Sequence, residues 1–487
     1  MNWRSCSDTV VIVLAAAVCW AFFQFCYPYH FFYQEQNQIF LWSWDYVASY
    51  FDDAGCFTRL AGDFLTQFYY YLFAGAAILT LCIAAIGSLA YRTIRNIQIT
   101  WKSWTNRINQ ISRYIALTAA LLMMAFVAFC HLNTSYRLSS TMSILGWATM
   151  LWLVSLIKGW KGRLTIIACA LLPTWLLFGL PQIKSLRGPD FILEKNFAID
   201  NEYYFGNYDR VTEMVTSSDG WNDQMLFFYN LVQARQGKLP DHLLDFTPNY
   251  LGTFEKIGPD TPRLTIINMN ELYWLLGDMT FTERAAMMTN VFAPDNRNVR
   301  MIRRLAECNI VSGDSLAAEK YLRILDKTFV YRTWANHLRQ HGKDIYADKI
   351  RMVNKHDTIA VTDNAHFLMM QLLDAHPENA IALDYILCSD LLLKDITNFK
   401  RDYDRYCLGN DQPDRDVLLH RVHTTKLYQE ALCIWLAGSN APQEEWERYI
   451  HRVDVIKRFG EYNSQRGNPR FNGTYWYYFD KQKAPEI

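Results

Sequence analysis

LTIIACALLPTWLLFGL, Leu164–Leu180, is the stretch on which the reading of this chain turns. It is apolar over 17 residues, interrupted by Thr165, Pro173, Thr174 and Gly179. Crossing a bilayer takes about 20 apolar residues, with a range of roughly 17–25. No run of that length follows it, whereas four others precede it: Thr9–Cys26, Phe68–Ala90, Tyr114–Cys130 and Met142–Ile157. The expectation is an all-α protein. A five-span transmembrane helical domain fills 1–187, a helical module outside the membrane fills 188–460, and an aromatic tail covers 461–487. Met142–Ile157 and Leu164–Leu180 are short for spans. Lys158-Gly-Trp-Lys-Gly-Arg163 joins them as a tight hairpin able to insert as one unit.

Charge divides at the same place. Residues 1–187 carry 13 Lys/Arg against 6 Asp/Glu, and residues 188–487 carry 35 against 42. Positive residues resist translocation. Gly87–Arg113 holds Arg92, Arg95, Lys102, Arg107 and Arg113 without an acid, and the hairpin turn adds Lys158, Lys161 and Arg163. By contrast Tyr27–Thr66 holds Glu35, Asp45, Asp52, Asp53 and Asp63 against Arg59 alone. These loops alternate, which predicts a cytoplasmic N-terminus in a cell inner membrane and a periplasmic region after Leu180. Arg4 followed by Val10–Phe23 has the outline of a signal peptide. Bulky Trp20, Phe22, Phe23, Phe25 and Tyr27 occupy the cleavage side, so the run reads as a retained anchor. The acidic second half excludes a nucleic-acid partner, because no basic face is available to displace counterions from phosphates.

Two loops read as helices lying in the interface, with membrane lipid as a partner. In the cytoplasmic loop Ile94, Ile97, Trp101, Trp104, Ile108 and Ile111 recur every three or four residues, opposite cations. In the outer loop Phe40, Trp44, Val47 and Phe51 oppose Ser43, Asp45, Ser49 and Asp52.

Past Pro189 the pattern becomes helical periodicity punctuated by glycines. Gly206, Gly237, Gly277, Gly313 and Gly342 each follow an apolar helical stretch and precede another. A glycine in a left-handed conformation ends one helix and lets a second pack back on it. These units resemble tetratricopeptide repeats. Gly206-Asn-Tyr-Asp and Gly313-Asp match that family's inter-helix turn, and Val211, Ala318 and Ala347 fall at its close-crossing position. His376-Pro-Glu-Asn379 is similar to its inter-repeat turn, before helices expected at Ala380–Leu393 and Ile396–Tyr406. The resemblance implies a tetratricopeptide-like α-solenoid over roughly 195–410, with helices at Pro413–Ala437 and Gln443–Phe459 closing the stack. No helix is signalled in 461–487. Its run Tyr475-Trp-Tyr-Tyr-Phe479 should be covered, by folding back on the solenoid or by touching the membrane.

Motifs that name a reaction are missing: no G-x-S-x-G, no GxxxxGK[ST] and no Gly-rich phosphate loop. The candidate catalytic residues are Glu35 and Asp45, as a general base or a ligand just outside the membrane. In this loop the chain is similar to membrane glycosyltransferases that use lipid-linked sugars, which carry an acid in the first outer loop. It departs from them in having five spans against seven or more, and in lacking a D-x-D. His337 and His341 stand at i, i+4, and His420 and His423 at i, i+3, without the further ligands that zinc needs. No metal and no cofactor is expected. Cys308, Cys388, Cys407 and Cys433 have no metal spacing, and whether they pair depends on their compartment.

Phe32-Tyr-Gln-Glu-Gln-Asn-Gln38 and Phe64-Leu-Thr-Gln-Phe-Tyr-Tyr-Tyr71 carry a wider resemblance, to a family of multi-pass membrane proteins of Bacteroidota-type bacteria with a helical-repeat tail. No activity is assigned to that family, so the resemblance implies location and architecture. The functional expectation is a periplasmic helical platform that binds a protein or peptide. The alternative is a reduced glycosyltransferase-like protein acting on lipid-linked sugar through Glu35 and Asp45.

Overall fold

A computed structural model of the chain describes residues 3–52, 55–99, 106–156, 188–252, 260–293, 297–353, 362, 364–408, 422 and 424–485. Every regular element among these residues is helical. The run Leu164–Leu180 and the hairpin turn before it lie outside them, as do His420 and His423. The chain forms two compact units. The first comprises 1–198, 293–300 and 323–336, and the second comprises 199–292, 301–322 and 337–487.

In the first unit, α1 (Trp3–Ala21) runs into a π-helical turn, Phe22–Cys26. Next come α2 (Tyr29–Gln36), α3 (Trp44–Ala48), α4 (Cys56–Thr66), α5 (Ala74–Ile99), α6 (Asn106–Cys130) and α7 (Leu138–Ser155). Four stretches are long and apolar enough to cross a membrane: Ser7–Cys26, Ala74–Asn96, Ile111–Cys130 and Leu138–Ser155. They correspond to the first four expected spans, although the second begins six residues later than its apolar run. Val18, Leu81 and Leu122 are each at least 65% exposed, the outward apolar face that suits lipid and not water.

Helix α5 packs against α1, α6 and α7. Asp8 on α1 receives both Arg113 Nε and Nη2 from α6 at 2.6 Å, and the Tyr91 hydroxyl from α5. A charge within an apolar bundle survives by such pairing. Helix α4 lies along α7 in the opposite direction, with Thr58 beside Ser143 and Gly62 beside Ser139. A Cβ at Gly62 would stand 2.4 Å from the Ser139 Cα, so only glycine permits this approach.

The two expected interfacial helices are corrected. Ile94 and Ile97 continue α5, and Ile108 and Ile111 belong to α6; Trp101 and Trp104 lie outside the described residues. A span that leaves the apolar run keeps its 3.6 period, and propagation adds one hydrogen bond per residue. The outer-loop helix shrinks to the five residues of α3 plus a 3-10 turn, Ser49–Asp52. Its buried side is Tyr46 and Tyr50, while Trp44 is 81% exposed.

In the later chain, α8 (Phe191–Tyr204), α9 (Tyr208–Thr216), α10 (Asp223–Arg235), α11 (Leu239–His242), α12 (Arg263–Leu276) and α13 (Met279–Phe292) precede α14 (Val299–Ser312), α15 (Ser315–Asp326), α16 (Arg332–Ile345) and α17 (Ala347–Met352). Then come α18 (Ala365–Ala375), α19 (Ala380–Leu392), α20 (Ile396–Tyr403), α21 (Lys426–Gly438), α22 (Gln443–Tyr449), α23 (Val453–Ser464) and α24 (Tyr475–Lys481). Gly206, Gly237, Gly277 and Gly313 all have φ between 69° and 85° and separate consecutive helices. Gly342 does not. It sits inside α16 against Ile310, where a small residue allows a close approach.

Helices α19 and α20 start where the sequence placed them. The Asn379 and Asp395 side chains accept from Ala382 N and Asn398 N, each satisfying an orphan N–H. The helix expected over Gln443–Phe459 is broken into α22 and α23. Buried Gln429 holds the break open, donating to Tyr449 O (3.1 Å) and accepting from His451 N (2.7 Å). The tail, expected without a helix, forms α24 and folds back. Its first N–H, Tyr475 N, donates to buried Glu430 (2.7 Å). The Tyr475 and Tyr478 hydroxyls donate to Leu391 O and Leu392 O, carbonyls in the last turn of α19. Cys308, Cys388, Cys407 and Cys433 are buried.

Candidate functional site

The outer loop that carries Glu35 is built around α2. Its first N–H groups have no intrahelical acceptor, and Tyr29 N and His30 N both donate to the Glu194 carboxylate, at 2.5 and 3.2 Å. The His30 ring packs between Tyr27 and Phe31, and burial pushes its pKa down to about 3, so it is neutral.

The other end of α2 meets two segments from much later in the chain. The Tyr331 hydroxyl stands 3.0 Å from both carboxyl oxygens of Glu35. Arg300 Nη1 donates to Gln36 Oε1 (3.3 Å), Asn298 Nδ2 to Asn37 Oδ1 (3.2 Å), and Trp42 N to Lys327 O (2.6 Å). Glu35, Gln38, Gln67, Thr328 and Tyr331 line a narrow cleft with a volume of about 10 Å³. Burial pushes the Glu35 carboxyl up to about 8, against the downward pull of the Tyr331 hydrogen bond. At neutral pH Glu35 is therefore mainly a protonated acid, able to donate.

Asp45 is placed differently. It is exposed in the first turn of α3, and its carboxylate makes no hydrogen bond or ion pair to the described residues. The two acids singled out by sequence are thus not brought together. Asp63 is the loop's other buried acid among the described residues. It accepts from the Tyr50 hydroxyl (2.8 Å), which pairs with the Tyr46 hydroxyl (2.9 Å). Arg59 and Arg297 lie over the Tyr50 and Tyr46 rings. Sequence reading passed over Tyr46 and Tyr50, although their i, i+4 spacing was visible.

A second cluster lies in the second unit, where α18, α19 and α20 converge. His366 Nδ1 is 3.3 Å from Asp390 Oδ1, and His366 Nε2 is 2.9 Å from Asp402 Oδ2. Both aspartates are buried, and His366 is partly open to solvent. One imidazole and two carboxylates are a donor set that suits a divalent cation. Carboxylates stand at both ring nitrogens and favour the imidazolium, while a guanidinium donor at Nε2 opposes it. The Arg401 guanidinium lies 2.9 Å from Nε2, putting a cation where a metal would approach. Hydrogen bonds to Asp390 and then Asp402 raise His366 to about 9. Burial raises Asp390 to about 6, while at Asp402 the same burial is outweighed by His366 and Arg401, leaving it below the ordinary carboxylate value. The His337 and His341 rings are 5.0 Å apart on α16.

The sequence pattern of a family of unknown function, DUF6057, matches residues 2–183 and 181–482. The chain belongs to this family. No curated protein and no solved structure matches it. Both clusters of this DUF6057 chain fall inside the matched segments, Glu35 in the first and His366 in the second. Sequence reading missed His366, Asp390 and Asp402, because three residues on three helices have no local spacing. The only available signal was a polar residue on each otherwise apolar helix face.

Proposed function

We propose that this is an inner-membrane protein of a Bacteroidota-type bacterium that holds a helical platform in the periplasm for a protein or peptide. In this reading the chain crosses the bilayer five times, with its N-terminus in the cytoplasm, and the helices after Pro189 form a tetratricopeptide-like array. One observation carries the reading: four of the recurring glycines adopt the left-handed conformation between successive helices. Stacked helix pairs of this kind present an extended surface for a peptide or a partner helix. The loop charges support the orientation.

The test is light cross-linking in native membranes, isolation of the full chain, and identification of linked proteins and lipids by mass spectrometry. A stoichiometric protein linked within 195–410 is expected. A polyprenyl-phosphate lipid linked near 35–63, with no protein partner, would overturn it. That outcome would favour the second reading, a glycosyltransferase-like protein. The observation behind this second reading is Glu35, a buried acid that keeps its proton near neutrality beside a cleft, as a general acid must.

A further inference from the structure

A cavity in the second unit, far along the chain from Glu35, is used by nothing above. Its volume is about 580 Å³, within the roughly 300–1,000 Å³ typical of ligand pockets. Helices α20, α21, α23 and α24 line it. Trp435, Phe459, Trp476 and Phe479 provide aromatic walls, and Asn463, Arg466 and Asp480 provide its polar groups.

These polar groups are only partly engaged. Arg466 donates Nε and Nη2 to Asp480 at 2.6 and 2.7 Å, and Asp480 also accepts from the Tyr462 hydroxyl. The exposed Asn463 amide makes no side-chain hydrogen bond to the described residues. The Trp476 indole N–H is buried, with the residue 1% exposed, and has no acceptor among them. A buried donor left unpaired costs about 1–3 kcal/mol.

We propose that this cavity is a binding site for a neutral saccharide. The reasoning is by exclusion and fit. The charges of Arg466 and Asp480 cancel, so neither a carboxylate, a phosphate nor an amine finds an unpaired counter-charge. An aliphatic chain would satisfy the walls but would strip water from the Arg466–Asp480 pair. A sugar ring meets both demands. Its C–H face lies against the aromatic walls, while its hydroxyls accept from Asn463 and Arg466 and donate to Asp480. This proposal stands apart from the platform reading and does not depend on it.

The test uses the full chain in lipid nanodiscs, because maltoside detergents would compete. An array of neutral oligosaccharides is screened first. Maltotetraose, cellotetraose and chitotetraose are then titrated by calorimetry, with laurate as the apolar control. Binding of at least one neutral glycan is expected, with quenching of tryptophan fluorescence. Asn463→Ala, at an exposed position, should weaken it at least tenfold, and Trp435→Leu should abolish it. No binding by any neutral glycan at millimolar concentration would overturn the proposal. So would binding that both variants leave unchanged, or laurate binding more tightly than every sugar.

Discussion

Glu35 shows how far a single residue's surroundings decide its chemistry. As a sequence symbol it is one acid among glutamines; in the fold it is sealed under Tyr331. Its pKa of about 8 lies above the ordinary 4.5, so the folded state holds the extra proton between those values and loses stability as pH rises through them. Glu35→Gln should flatten that slope in thermal unfolding recorded from pH 4.5 to 8. Glu35→Ala should instead cost about 1–3 kcal/mol, because a buried hydroxyl loses its bond to the carboxyl. His366 gives a slope of the same sign, in a higher pH window. Its folded pKa of about 9 exceeds 6.5, so its contribution is complete below 6.5 and disappears as pH rises through 9. His366→Gln should melt earlier than the parent at pH 6.5, and the gap should close above pH 9. Neither environment was legible in the sequence, since the partners come from distant segments: Tyr331 from the turn before α16, Asp390 and Asp402 from α19 and α20.

At the scale of elements, the glycines separate two kinds of information. Gly277 ends α12 at φ 85°, and a Cβ there would find open space beyond 3.9 Å. Gly277→Ala should therefore cost about 1–2 kcal/mol through backbone conformation alone. Gly342 is inside a helix, where alanine is favoured by about 1 kcal/mol, but its new Cβ would stand 3.0 and 3.3 Å from Ile310 Cδ1 and Cγ2 and 3.4 Å from Leu338 Cδ1. The gain and the crowding offset each other, so Gly342→Ala should shift the same melts by less than about 1 kcal/mol. Sequence spacing treated the two glycines alike. Helix starts were readable at Asn379 and Asp395, where a side chain caps them. The break after Tyr449 and the helix at Tyr475 were not readable. Each depends on a buried polar side chain of α21, Gln429 or Glu430, supplied by tertiary packing.

At the scale of the molecule, apolar run length located four membrane-length stretches to within six residues at each end, because a span's length is set by bilayer thickness. The five-span reading makes a direct prediction. Alkaline phosphatase fused after residue 487 should be active and green fluorescent protein fused there dark, with the reverse pattern at the N-terminus. A fluorescent C-terminal fusion would remove one span and the periplasmic placement with it. What run length could not reveal is that 293–300 and 323–336 belong to the same compact unit as the first outer loop. That pairing depends on groups such as Asn37 and Asn298, whose contact leaves no trace in either neighbourhood.

The seating of Tyr331 on Glu35 also has a consequence in time. The two residues are 296 positions apart, which a ribosome making about 5–20 residues per second covers in roughly 15–60 s. Throughout that interval the first loop is already made, while Glu35, Gln36 and Asn37 wait for partners still to be synthesised. A nascent chain halted before residue 298 carries that seat unfinished, its acid and amides still without the groups that cover them.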